Sequence, residues 1–140
     1  MHLVLAGPLE KGFPPPQGER VHYLGHLAHG QVANLFRALD VGIISILDTP
    51  FGRYCFPQKA YEMLVCKLPV VATAIGQMRE LYASTPQALF DPGDVIALTR
   101  AVLWQLQAGE IPSVPVADWR ELIGSVELVL QRQVRLARGT

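Results

Sequence analysis

Short apolar runs alternate with segments of helical spacing along this chain, and that alternation constrains its fold more than any other feature. His2 to Ala6 reads as a buried strand ending at Gly7-Pro8, and residues 8–20, with Pro14, Pro15 and Pro16, read as a loop. Val21 to Leu24 is a second strand, closed by Gly25. Over 29–38 the apolar spacing of Val32, Leu35, Phe36 and Leu39 predicts a helix. Val41 to Leu47 is an apolar, β-branched run of the kind found in strands covered on both faces. Residues 48–56 read as a turn-rich loop. Pro57 suits the first position of a helix running to about Cys66, because its missing N–H costs nothing there. Pro69 to Thr73 is a strand, Gly76 to Tyr82 a short helix and Ala88 to Phe90 a short strand. Asp94 is placed to cap a helix through Gln107. A proline-rich linker at 112–115 leads to a last helix at about 117–137.

This order predicts an α/β fold: an open parallel sheet of about five strands flanked by helices. Ligands of such sheets bind at the carboxyl ends of the strands, which directs attention to residues 7–20, 25–28, 48–57 and 74–77. The length suffices for one domain with a core. Half the residues are hydrophobic and 17% are charged, a globular rather than a disordered balance. Twelve basic and twelve acidic residues cancel, so no field favours nucleic acid. No apolar run reaches the roughly 18 residues of a membrane helix, and no signal peptide is visible. Cys55 and Cys66 match no zinc or redox spacing and read as free thiols of a cytoplasmic protein. His2, His22, His26 and His29 are joined by no metal-ligand pattern, and no metal is expected.

The chemistry concentrates between Pro57 and Thr73. Glu62 falls mid-helix among Tyr61, Met63, Leu64 and Val65, where a carboxylate is costly to bury unless strong donors meet it. A ribose diol offers two such donors. The plainer alternative is a surface glutamate paired with Lys59 three residues earlier. Lys59 lies in the first helical turn, where the helix dipole disfavours a cation and a bound anion would relieve the conflict. Free N–H groups at this helix start, fed by a loop with Gly52, suit a phosphate; a merely solvated lysine is the alternative. Neither the dinucleotide fingerprint nor the P-loop is present.

The string Pro57-x-Lys59-x-x-Glu62, followed by Leu68-Pro69-Val70-Val71-Ala72-Thr73, resembles the family-4 retaining glycosyltransferases (glycosyl transferases group 1). Further pieces fall in that family's order: Leu3 to Gly7, Val21 to Gly25, Ala38 to Ile43, Gly76 to Glu80 and Phe90 to Asp94. The resemblance covers about residues 3–108. It implies the Rossmann-like, nucleotide-sugar-binding half of a GT-B fold, beginning after that domain's first strand–helix unit. Residues 1–111 would be the donor domain. Residues 112–140 would be a linker and a helix packing back on it or toward an amino-terminal acceptor-binding domain.

By the same resemblance, Glu62 would bind the ribose and Leu27 the base. Pro57 and Gln58, with Lys59, would face the donor phosphates, and the loop with Phe51, Gly52 and Tyr54 would approach the sugar. The parent enzyme would transfer a sugar from a nucleotide diphosphate to a glycan or lipid with retention. It would need no cofactor and would work in the cytoplasm or peripherally at the inner face of a membrane. Two departures stand out. Tyr54 occupies the place of a usual second glutamate, and the family's basic Arg and Lys pair belongs to the absent first strand. The alternative is a non-catalytic module that binds nucleotide-sugar or a partner protein. An incomplete sheet would also promote self-association or docking to a further domain.

Overall fold

The computed structural model describes residues 1–9, 11–114 and 118–138. Among the described residues there are five strands, all in parallel pairings, with helices following from β2 onward: β1 (Leu3–Leu5), β2 (Val21–Tyr23), β3 (Gly42–Ile44), β4 (Val70–Thr73) and β5 (Leu89–Phe90). They hydrogen-bond in two sets, β1 with β2 and β3-β4-β5 in that order. The helices are α1 (His29–Ala38), α2 (Pro50–Tyr54), α3 (Gln58–Val65), α4 (Gln77–Leu81), α5 (Val95–Ala108) and α6 (Trp119–Arg138).

β4 organises the core. All four of its residues are buried, and successive side chains point to opposite faces. Val70 and Ala72 pack with Ala60 and Leu64 of α3, Met78 of α4, Tyr82 and Ala88. Val71 packs on the other side with Phe90 and Ala101, joined by Val41, Leu98 and Val102. Buried Gln105 of α5 secures the start of the strand. Its Nε2 donates to the carbonyls of Val70 (3.2 Å) and Glu110 (2.7 Å), and its Oε1 accepts from the Glu110 N–H (3.0 Å). Every hydrogen-bonding direction of that amide but one is thereby used.

The Asp94 side chain caps α5 by accepting from the Ala97 N–H at 2.8 Å, as its sequence position predicts. Two local expectations are corrected. Residues 50–54 form a one-turn helix rather than an irregular loop, because Thr49 accepts from the Gly52 N–H at 3.1 Å and Pro50 presets the first turn. Pro57 is the cap of α3, not its first residue, with its carbonyl accepting from the Ala60 N–H at 2.9 Å. The expected end of the linker at 115 and start of the last helix at 117 lie outside the described residues. α6 displays Trp119, Ile123, Val126, Leu130 and Val134 to solvent, and none of its described residues is buried. No helix among the described residues is long and apolar enough to cross a membrane.

One core group is unmatched. The Tyr82 hydroxyl is buried without a hydrogen-bond partner among the described residues, and burial pushes its ionisation far up. Leaving such a group unpaired costs about 1–3 kcal/mol. Tyr82→Phe is therefore expected to hold or raise stability, by about 1 kcal/mol in urea denaturation. A clear loss would show that the hydroxyl has a partner in solution.

Candidate functional site

The carboxyl ends of β3 and β4 lead into two loops that are locked together. The Ile46 N–H, just past β3, donates to Oγ1 of buried Thr73 at the end of β4 (2.9 Å). Gly76 begins α4 with φ +51°, a left-handed conformation that favours glycine, and a Cβ there would run into the Arg53 carbonyl. Gly52 is equally constrained, since a Cβ would strike the Leu47 carbonyl. The α2 turn is thus pressed against both strand ends.

Around these ends the charges are paired. Arg53 holds Asp48 with two hydrogen bonds, at 2.6 and 3.1 Å. Those bonds keep the Asp48 carboxyl below its ordinary range despite opposing desolvation, and the charges of Arg53 and Arg79 add to the effect. Arg79 is itself anchored through Nε to the Ala74 carbonyl.

α3 carries the second group. Glu62 Oε1 accepts from Gln58 Nε2 and Oε2 from Lys59 Nζ, both at 2.8 Å. Partial burial pushes its pKa up, but the bonds from Lys59 and Gln58 and the charges of Lys59 and His29 outweigh it, so the carboxyl titrates below its usual value. The Glu62 side chain is 28% exposed and that of Lys59 61%. The pair with Lys59 is the plain surface pairing that the sequence allows. It leaves each carboxylate oxygen a further lone pair. α1 packs against α3. His29, at the start of α1, is close enough for its charge to act on Glu62, and Leu27 in the β2–α1 loop is half-buried.

Of the residues singled out by sequence, Glu62, Lys59, Gln58 and Pro57 therefore form one cluster. The start of α3 is partly satisfied from within, the Gln58 N–H donating to the Phe56 carbonyl at 2.9 Å, while the Lys59 N–H has no acceptor among the described residues. Gly52 is buried and its N–H is taken by Thr49, so it shapes the loop. Phe51 and Tyr54 project outward at 82% and 90% exposure, and no hydrogen bond or ring contact among the described residues links them to Glu62. The Phe56 ring stacks on Tyr61 at 4.9 Å, and the Tyr61 hydroxyl accepts from Gln77. Tyr61, Gln77, Glu80, Ser84 and Ser113 line an open groove of about 410 Å³ without Glu62. The Glu62 and Asp48–Arg53 groups both lie outside that groove. Among the described residues no group of three His, Cys, Asp or Glu side chains could hold a metal ion. Cys55 and Cys66 are free. His29, Arg79 and the Asp48–Arg53 pair were not legible beforehand, since none stands at a periodic spacing from Glu62.

In parallel α/β domains the carboxyl ends of the strands are the usual place for ligands, and the Asp48–Arg53 pair lies there beside Arg79. The family described as Glycosyl transferases group 1 matches residues 1–108, and the chain belongs to that family. It is 37% identical over 84 residues to the 2-deoxystreptamine N-acetyl-D-glucosaminyltransferase of Streptomyces fradiae, a match covering 59% of this chain and 19% of that protein. The chain thus spans well under half the length of that relative. No solved structure matches it.

Because the folded pKa of Glu62 is depressed, its contribution to stability is present above the unfolded value and is lost as pH falls through the lower folded one. Lys59→Met is expected to move the Glu62 titration upward, followed by carboxyl carbon NMR. An unchanged midpoint would mean that the pair does not form in solution.

Proposed function

We propose that this chain is the donor-binding part of a glycosyltransferase that uses a nucleotide-diphosphate sugar and retains anomeric configuration, with the acceptor side supplied by further polypeptide. The observation that carries this reading is the Glu62 carboxylate. It is ionised, oriented by Gln58 and Lys59, lies within reach of the His29 charge, and retains two acceptor positions. A ribose diol matches those positions, and Leu27 in the β2–α1 loop would meet the base. The diphosphate would lie at the start of α3, where the Lys59 N–H is free and the dipole favours an anion. Lys59 Nζ is mostly exposed and can exchange Glu62 for phosphate, since surface pairs are worth only about 0–1 kcal/mol. A cation there would stabilise the charge that develops on the leaving diphosphate. Phe51 and Tyr54 would border the sugar. The Streptomyces relative is named for N-acetyl-D-glucosaminyl transfer, so that sugar is the first to test.

A second reading, a module that binds the nucleotide-sugar without transferring it, is favoured by Tyr54. An exposed phenol stands there in place of the carboxylate that members of such families direct at the sugar.

Calorimetric titration with UDP, GDP and ADP tests the site. One nucleotide is expected to bind, and Glu62→Ala to weaken it by about 1–3 kcal/mol, the cost of losing a charged hydrogen-bond acceptor. Equal binding by the variant would remove Glu62 from the site.

A further inference from the structure

We propose that Arg53 and Arg79 form a seat for an anionic group, a carboxylate or a phosphate, on the sugar end of the ligand, and that this group displaces the Asp48 carboxylate. The inference rests on the donor-binding reading for where the sugar lies. It names the substrate class as an acidic sugar rather than a neutral one.

Backbone packing gathers the three side chains. Arg53 lies in α2, and its carbonyl is the atom that a Cβ on Gly76 would strike. Arg79 follows Gly76 by three residues on α4. Its Nε donates to the Ala74 carbonyl, in the loop that leaves β4. Asp48 lies in the loop that leaves β3, and the bond from Ile46 to Thr73 ties that loop to the end of β4. Two guanidiniums and one carboxylate therefore meet at the carboxyl ends of β3 and β4, where ligands of parallel sheets bind. One positive charge is left in excess.

The two cations are held differently. Arg53 grips both Asp48 oxygens, at 2.6 and 3.1 Å, with a planar fork that also fits an incoming carboxylate or phosphate. Arg79 forms no ion pair among the described residues, and its anchor is a neutral carbonyl. Its charge still acts on Asp48, helping to hold that carboxyl below its ordinary range. An ordinary surface pair needs only one cation. Here a second is fixed beside it, and its terminal nitrogens have no acceptor among the described residues. Displacement of Asp48 is easy, since its side chain is 46% exposed and that of Arg53 62%, and exposed pairs contribute little in water.

The position selects the sugar over the diphosphate. Arg53 lies in α2 between Phe51 and Tyr54, the residues that would border the sugar, whereas Lys59 serves the start of α3. α2 carries no acidic side chain to repel an acidic sugar.

The test is an NMR titration of the 140-residue chain at low ionic strength, reading the side-chain Nε–H signals of Arg53 and Arg79. Glucuronate and inorganic phosphate are each expected to shift both signals with one midpoint, and glucose to shift neither. Tighter glucuronate makes the group a carboxylate; tighter phosphate makes it a phosphate. Asp48→Asn, which removes the internal competitor, is expected to tighten the preferred anion about two- to fivefold. Arg79→Gln is expected to weaken it about tenfold. No shift with either anion, a response from Arg53 alone, an equal response to glucose, or unchanged affinity in either variant would overturn the proposal. If UDP, GDP and ADP all fail to bind while the two arginines still respond, the nucleotide reading falls and the seat stands as a site for an acidic sugar alone.

Discussion

A strand buried on both faces must satisfy its peptide groups from within the protein, and Val70–Thr73 is paired with β3 at Val70 to Ala72 and with β5 at Ala72 and Thr73. Its neighbours supply the ladders, Gln105 takes the Val70 carbonyl, and the Thr73 hydroxyl holds the Ile46 N–H. The rest of the structure is placed by this strand. Val70 and Ala72 seat Ala60 and Leu64, which fixes the rotation of α3. Once those residues face the core, Glu62 and Lys59 are turned toward the rim and α1. The carboxylate that suits a ribose is therefore positioned by packing two residues to either side of it.

The electrostatics follow a common theme in the loop after β3 and on α3. Asp48 with Arg53 and the partly buried Glu62 with Lys59 are solvent-accessible pairs, each formed between residues close in sequence. Such pairs contribute little to stability in water. They keep charged side chains oriented while leaving them free to exchange partners. The glycines beside them are rigid elements by contrast: Gly52 and Gly76 let backbone approach backbone where no Cβ fits. A firm frame carrying loosely held charges is the arrangement on which the proposed donor site rests.

Much of the fold was legible because its elements are periodic or capped. The apolar spacing of α1 and the Asp94 cap of α5 carry their own boundaries. α2 was not legible, since five residues are too few to show a period and its helix depends on the Thr49 hydroxyl. β1 and β3 came out shorter than their apolar runs, because pattern reports what a strand can bury and pairing reports which neighbours it has. In the site, the Lys59–Glu62 pair could be read from a spacing of three residues along a helix. His29 and Arg79 could not, because they reach the charges they influence through tertiary packing. Resemblance to glycosyltransferases supplied roles that periodicity alone leaves open.

The central claim is that Glu62 accepts the hydroxyls of a ribose. It is tested most directly by comparing a nucleoside diphosphate with its 2′,3′-dideoxy form, in the unaltered chain and in Glu62→Ala, as a thermodynamic cycle. The account predicts that the unaltered chain binds the dideoxy form about tenfold or more weakly, the scale of a hydrogen bond to a charged group, and that the variant binds the two forms alike. Equal affinity in the unaltered chain, or the same discrimination in Glu62→Ala, would contradict it.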